Sequence, residues 1–189
     1  MDKTFNIVIS GVGGQGLVTL LKIISQAAFD EGFDVKTSEL HGLSQRGGSV
    51  EVYIRFGEQV FSPMVPKGQA NLIIALEQQE VLNGAQFASK KSIFLINKYQ
   101  TPTLAVDVGL DEIKQRLADV SKKVFVIPAS EICQKKLGNE VVSGIYLLGY
   151  AVRKKYLPLP MKSLEEAIKK TMPEKFWELN LKALHLSKT

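Results

Sequence analysis

Hydrophobic positions at the start of the chain follow a strand, loop and helix pattern. Residues 5–10 are mainly apolar, as in a buried strand, and residues 11–16 are rich in glycine. Apolar residues then recur at helical spacing through 17–31, and Gly32 follows them. Residues 34–38 are predicted to form a second strand, parallel to the first because a helix connects the two. The pattern therefore predicts a βαβ unit.

The next segment changes to a two-residue period. Apolar and polar residues alternate through residues 50–56, which is typical of a half-buried strand. Gly57 and Glu58 then predict a tight turn, so that residues 59–62 would form the second strand of a hairpin. This hairpin interrupts the regular alternation of strands and helices.

Alternation of strands and helices resumes after residue 68. We expect strands at residues 70–76, 92–97 and 123–127, and helices at residues 78–88, 111–120 and 130–137. Ser130 is placed to cap the last of these helices. Glu77 ends a strand, at a position that faces the site in open α/β sheets.

The final third of the chain is predicted to be helical. A long apolar helix begins at Asn139 and is broken by Pro158 and Pro160. Ser163 and Glu166 have the spacing of a capping box that opens a second helix, and Pro173 precedes a third. Together the patterns predict one α/β domain over residues 1–189, with a mixed, mainly parallel sheet flanked by helices, a β-hairpin insertion and a helical C-terminal extension.

The composition argues against three classes of protein: those that bind nucleic acid, those that associate with a membrane and those that contain disulfides. The formal net charge is +5, but the lysine pairs fall near predicted helix C-termini, where the helix dipole favours cations, so we expect no nucleic-acid partner. The longest apolar run, residues 141–152, is short of the roughly 20 residues that span a bilayer, and no export signal precedes the first strand, so we expect no membrane association. The single cysteine, Cys133, indicates a cytoplasmic protein without disulfides.

The first candidate binding motif is the glycine loop at residues 11–16. Between a strand and a helix, glycines permit positive φ angles and bring a phosphate close to the helix N-terminus. The candidate phosphate or coenzyme A contacts are Gly11, Gly13, Gly14, Gln15 and Gly16. The spacing also fits a dinucleotide fingerprint, with Glu39 placed for a ribose. The remaining alternative is that the glycines only shape a tight turn.

The interpretation of the glycine loop as an NAD site conflicts with the sequence after the second predicted strand. A mononucleotide-binding half requires a second helical crossover from its second strand to its third. Only residues 41–49 separate those strands here, and three of these residues are glycine, which leaves no room for a packed helix. The predicted hairpin is also foreign to that topology. A tight turn and a phosphate ligand other than NAD remain open.

The second motif spans residues 41–49. An arginine among small residues presents a planar donor pair to a carboxylate or phosphate, with backbone N–H groups close by. The alternative is that the arginine caps carbonyl groups while the glycines shape a turn. We predict an active-site or subunit-contact loop whose candidate residues are His41, Ser44, Gln45, Arg46, Gly47, Gly48 and Ser49.

Both motifs, together with Ser62 and Pro63, resemble one enzyme family. The chain is similar to the beta subunit of indolepyruvate:ferredoxin oxidoreductase, and to the subunit called gamma in the pyruvate, ketoisovalerate and 2-oxoglutarate enzymes. Similarity extends past residues 76–77 and Asn97 to the helical end with residues 147–149 and Asn180. The run at residues 38–50 is more similar to the indolepyruvate type.

The resemblance implies a role within a larger enzyme. Such enzymes convert a 2-oxoacid, coenzyme A and oxidised ferredoxin to an acyl-CoA, carbon dioxide and reduced ferredoxin, using thiamine diphosphate, magnesium and iron–sulfur clusters. One cysteine cannot ligate a cluster, and the chain lacks a Gly-Asp-Gly segment for a magnesium diphosphate site. We therefore expect no metal or cofactor in this chain, and no assigned catalytic residue. The cofactors would belong to one or more partner subunits, and ferredoxin would bind the complex.

Two other functions remain as alternatives. One is a dehydrogenase that binds NAD without a partner, and the other is a stand-alone adaptor whose glycine loop senses a phosphate ligand. Binding of NAD by the isolated chain favours the first alternative. A thiamine- and cluster-bearing partner argues against both.

Overall fold

The computed structural model describes residues 4–41, 48–101 and 108–187. Its strands are β1 (Phe5–Val12), β2 (Asp34–His41), β3 (Ser49–Gly57), β4 (Leu72–Ala75), β5 (Ile93–Asn97) and β6 (Val124–Ile127). Its helices are α1 (Leu17–Asp30), α2 (Val81–Ala85), α3 (Leu110–Ala118), α4 (Ala129–Leu137), α5 (Ser143–Arg153), α6 (Met161–Thr171) and α7 (Trp177–Leu186). No helix in these ranges is long and apolar enough to cross a membrane.

The described strands form a six-stranded sheet in the order β2-β3-β1-β4-β5-β6. Strands β1, β4, β5 and β6 are parallel, whereas β3 is antiparallel to both of its neighbours. The predicted mixed, mainly parallel sheet is confirmed. β2 runs in the direction of β1, as expected, but β3 lies between them. β2 and β3 are antiparallel neighbours, which differs from the parallel strands of a mononucleotide-binding half.

The hairpin is formed by β2 and β3, and the predicted strand at residues 59–62 was wrong. β3 already pairs with β1 on one side and β2 on the other, so no edge is free for another strand. Residues 58–62 are instead held by side chains. The N–H of Val60 donates to Asp34 Oδ2 at 2.8 Å, and Arg55 donates to the carbonyl of Ser62 at 2.7 Å.

Helices cover both faces of the sheet. Ile7 and Ile9 of β1 face the larger core, into which α1, α4, α5, α6 and α7 pack their apolar sides. Val8, between them, faces a smaller core shared with α2 and α3. This division follows from the alternation of side chains along a strand that is buried on both faces.

Helix α2 is shorter than the predicted span of residues 78–88. Glu77 accepts hydrogen bonds from the N–H groups of Gln79 and Glu80, and the N–H of Gln78 donates to the carbonyl of Tyr99. These bonds fix a turn after β4, so the helix begins only at Val81.

Two predicted helix caps were also wrong. α4 follows Pro128 and α6 follows Pro160, one or more residues earlier than predicted, and neither has a side-chain cap. Ser130 instead accepts a hydrogen bond from Asn97, and Ser163 donates to the carboxylate of Glu31. A proline just outside a helix loses no intrahelical hydrogen bond, which favours starts at these positions.

Asn139 precedes the C-terminal helices, and Gly149 allows two of them to pack closely. Asn139 Oδ1 accepts from the N–H of Val141 at 3.0 Å and caps a single 3-10 turn before α5. A Cβ at Gly149 of α5 would lie 1.9 Å from the carbonyl oxygen of Leu184 in α7. This glycine therefore sets the distance between α5 and α7.

Candidate functional site

The glycine loop requires glycine at three positions. Gly14 and Gly16 have φ angles of 103° and 85°, in the left-handed region. A Cβ at Gly11 would lie 2.7 Å from Gln15 Oε1, which accepts from the N–H of Val12 at 2.8 Å. The loop is thus a tight turn whose own glutamine closes it, and Gly16 immediately precedes α1.

The glycine loop is bonded to the second motif. The N–H of Gly13 donates to the carbonyl of Gly48 at 2.9 Å. His41 is the last residue of β2, and its backbone pairs with Val50. The two motifs therefore lie together at one end of the sheet. The candidates Ser44, Gln45, Arg46 and Gly47 lie outside the described residues, so their roles stay predictions.

Ser49 ends the second motif in a cluster with two residues that the sequence did not indicate. Its hydroxyl donates to Glu80 Oε2 at 2.5 Å, and Asn83 Nδ2 donates to the same carboxylate oxygen at 2.9 Å. Asn83 Nδ2 also lies 3.1 Å from Ser49 Oγ. We call these three residues the Ser49 cluster. No local motif surrounds Glu80 or Asn83, and only the fold brings them to Ser49.

Glu77 holds the turn that carries Glu80 of this cluster. Its side chain is buried, and burial raises the pKa of its carboxyl group. Glu77 Oε2 accepts from the N–H of Gln79 at 2.7 Å and from that of Glu80 at 3.0 Å. The carboxylate therefore shapes the turn that presents the Glu80 side chain to Ser49, which is a structural role.

A polar cleft of about 160 Å³ opens beside the glycine loop. It lies at the carboxyl ends of the parallel strands, where α1 leaves toward one face of the sheet and α2 toward the other. Ligands of open α/β sheets bind at this switch point. The polar cleft is lined by Gly14, Gln15, Leu76, Asn97, Tyr99, Ser130, Glu140, Val141 and Ser143.

The polar cleft favours an anion. Residues that precede or open α1, α4 and α5 line it, and each helix N-terminus carries partial positive charge. Asn97 fixes the start of α4, because its Oδ1 accepts from the N–H of Ser130 at 3.1 Å and its Nδ2 donates to Ser130 Oγ at 2.8 Å. Glu140 also lines the cleft, and its negative carboxylate would repel an anion.

Ser143 provides an additional donor in the polar cleft. The residue is 8% exposed and opens α5. Its hydroxyl has no hydrogen-bond partner within the described ranges, although it lines the cleft. Because Ser143 lines the cleft, its hydroxyl is available to a ligand.

Cys133 is unsuited to nucleophilic chemistry. It lies on α4 in the larger core and is fully buried. Burial raises the pKa of its thiol to about 11, which keeps it protonated near neutral pH.

The fold and the paired motifs define an oxidoreductase subunit family. The chain belongs to the pyruvate ferredoxin/flavodoxin oxidoreductase family, whose model matches residues 6–188. It is 40% identical to indolepyruvate oxidoreductase subunit IorB of Archaeoglobus fulgidus, over 96% of this chain and 92% of that protein. It is 27% identical to the common gamma subunit of the pyruvate/ketoisovalerate oxidoreductases of Pyrococcus abyssi, over 92% and 89% of the two chains.

Solved structures share the fold. The gamma subunit of a keto/oxoacid ferredoxin oxidoreductase from Geobacter sulfurreducens matches with a TM-score of 0.71 and 23% identity, covering 97% of this chain and 95% of its own. The 2-oxoglutarate:ferredoxin oxidoreductase of Magnetococcus marinus matches all of this chain with 31% of its own length, at a TM-score of 0.73 and 17% identity. The family resemblance seen in the sequence is therefore confirmed.

Proposed function

We propose that this chain is a subunit of a 2-oxoacid:ferredoxin oxidoreductase of the indolepyruvate type, and that it is active only with its partner. The observation that carries this proposal is the near full-length match to subunit IorB at 40% identity. The gamma subunits that match are 25–27% identical. The greater similarity to IorB favours indolepyruvate as the substrate class.

In this proposal the redox cofactors belong to partner subunits. A cubane iron–sulfur cluster needs about four thiolate ligands, and this chain has only Cys133. Thiamine diphosphate and magnesium are likewise assigned to the partner, where they would supply the chemistry of oxidative decarboxylation. Ferredoxin would bind the assembled complex, in the cytoplasm.

The contribution of this chain would be an anion-binding surface at the edge of the joint active site. The glycine loop, at the N-terminus of α1, suits a phosphate of coenzyme A, the co-substrate of the reaction. The glycine loop would approach that phosphate closely because it carries no side chains at residues 13 and 14. The second motif, bonded to the glycine loop through Gly13 and Gly48, would contact the partner or its substrate.

Isolation of the tagged chain from its own cell tests the proposal. We expect it to co-purify with a larger subunit, and the complex to contain iron and thiamine diphosphate and to reduce ferredoxin with indolepyruvate and coenzyme A. The chain purified alone should be colourless and inactive. Stoichiometric iron or thiamine diphosphate in the isolated chain contradicts the proposal. Micromolar affinity of the isolated chain for NAD, measured by calorimetry, favours the dehydrogenase alternative.

A further inference from the structure

An apolar cavity of about 240 Å³ lies directly beside the polar cleft. Its walls come from the first turns of α1, from α5 and from the start of α7. An engineered apolar cavity of roughly 150 Å³ is sufficient to bind benzene, so this space accommodates a ring. The cavity is lined by Gln15, Gly16, Thr19, Leu20, Asn139, Val141, Val142, Gly144, Ile145, Met172, Phe176, Leu179 and Asn180.

The cavity has a preformed wall and an apolar rim. Val142 and Ile145 are buried, and a Cβ at Gly144 would lie 2.8 Å from Leu20 Cδ1, so the wall is closely packed. At the rim, Val141 is 66% exposed and Phe176 is 43% exposed. Large apolar side chains around a recess are a common feature of ligand sites, because the ligand removes them from water.

The cavity and the polar cleft are adjacent. Gln15 and Val141 line both spaces, so a molecule that occupies both would pass these two side chains. At the cleft end, Ser143 lines the cleft, and its hydroxyl has no partner in the part of the chain that the structure describes. The adjoining helix N-termini stabilise negative charge there. An anionic group therefore belongs in the cleft and an apolar group in the cavity.

We propose that the polar cleft and the apolar cavity form one binding site for a small amphiphilic carboxylate, with its aromatic ring or branched alkyl group in the cavity. The choice of indole as the ring in the test rests on the proposed function. The site itself is built entirely from this chain, so its occupancy is measurable without the partner subunit.

Calorimetry on the isolated chain with indole-3-acetate as the probe tests this site. We expect saturable binding at one site, at least about tenfold tighter than the binding of acetate or of indole alone. Thr19 lies on α1 in the cavity lining, and Thr19→Phe should fill the space and weaken binding more than tenfold. Thr37→Phe, on β2 outside the site, is the matched control and should leave affinity unchanged. Ser143→Ala should weaken indole-3-acetate binding but leave the affinity for indole unchanged.

Thermal unfolding of each variant establishes that it is folded, and Thr19→Leu replaces Thr19→Phe if the larger side chain prevents folding. Absence of saturable binding, or binding that neither Thr19 variant changes, overturns the inference. Loss of partner association in Thr19→Phe, with probe binding intact, assigns the cavity to a subunit contact and also overturns it. Co-purification without probe binding rejects this site alone, whereas probe binding without any partner rejects the proposed function alone.

Discussion

The hydroxyl of Ser49 donates a 2.5 Å hydrogen bond to Oε2 of Glu80, across 31 residues of sequence. Ser49 is the last residue of the second motif, and the neighbouring Gly48 accepts from the N–H of Gly13 in the glycine loop. The second motif is therefore anchored on one side to the glycine loop and on the other to the turn that precedes α2. The end of the second motif is therefore held by two hydrogen bonds to other segments of the chain.

Loss of either partner in this bond should lower the stability of the protein. We expect Ser49→Ala and Glu80→Gln each to reduce the free energy of unfolding by about 1–2 kcal/mol, because the first removes the donor and the second replaces the charged acceptor with a neutral one. The double variant should lose little more than either single variant, since the two residues act as a pair. Urea unfolding measures all three values.

Glu112→Gln is the matched control for this prediction. Glu112 pairs with Arg116 on the surface of α3, with both side chains more than half exposed. Such pairs contribute about 0–1 kcal/mol. Additive losses in the Ser49 and Glu80 variants, or an effect no larger than that of the control, would show that the bond contributes little.

Arg46 is expected to act in the assembled enzyme rather than in folding. Because it lies among glycines, Arg46→Ala should change the free energy of unfolding of the isolated chain by no more than about 1 kcal/mol. Turnover or partner association should fall by the equivalent of roughly 2–5 kcal/mol if the guanidinium is buried against an anion. Arg46→Lys keeps the charge but loses the planar donor pair, so it should also be impaired. Unfolding of the isolated Arg46→Ala chain would instead assign a structural role.

Local patterns predicted the elements better than their ends. The apolar run of β1, the alternation in β3 and the helical period of α1 predicted the type of each element. The alternation suggested a half-buried strand, whereas β3 is buried on both faces, including Glu51 and Tyr53. The caps at Ser130 and Ser163 failed because distant residues, Asn97 and Glu31, bind those hydroxyl groups. Propensity is local, whereas a side-chain hydrogen bond is decided by the tertiary fold.

The candidate site was predictable only in part. Glycine spacing located the turn before α1, because positive φ angles have a sequence signature. Ser130 and Ser143 reach the polar cleft from helices that are distant in the sequence, and serine at such positions carries no such signature. The apolar cavity was equally hidden, since its lining residues read as ordinary helix core.

Gly149 should tolerate no side chain. A Cβ there would lie 1.9 Å from the carbonyl oxygen of Leu184, and backbone is a neighbour that cannot rotate away. We expect Gly149→Ala to destabilise the protein by about 3 kcal/mol or more, because α5 and α7 must separate. Gly109→Ala is the control, since no atom of the described residues lies within 4 Å of its added Cβ, and loss of a glycine N-cap of α3 should cost at most about 1 kcal/mol. Equal melting temperatures for the two variants would contradict this prediction.

Cys133 should react with thiol reagents only after the protein unfolds. Burial raises the pKa of its thiol to about 11, so about one molecule in a thousand carries the thiolate at pH 8. We expect alkylation by iodoacetamide at pH 8 to be at least about 100-fold slower in the folded protein than in urea. Mass spectrometry over time measures both rates. A folded-state rate near the unfolded one would mean that α4 opens readily or that the thiol is accessible.

Glu77 should give the protein a pH dependence opposite in sign to that of an exposed acid. Burial raises the pKa of its carboxyl group above the ordinary value near 4.5. Between the unfolded and folded pKa values, the folded state binds more protons, so the free energy of unfolding falls as pH rises. Above the folded pKa the loss is complete. Glu77→Gln should remove this fall, so the stability of the parent relative to the variant should decrease from pH 4 to pH 7.

Glu178→Gln supplies the control of opposite sign for Glu77. A hydrogen bond from Lys182 lowers the pKa of the exposed Glu178 carboxyl group, so its contribution is present above the unfolded pKa and is lost as pH falls through the folded one. The stability of the parent relative to Glu178→Gln should therefore rise with pH, by a small amount because the pair is exposed. Urea unfolding at a series of pH values from 3 to 7 measures both differences. If the Glu77 difference rises with pH as the Glu178 difference does, the N–H groups of Gln79 and Glu80 stabilise the Glu77 carboxylate by more than its burial costs.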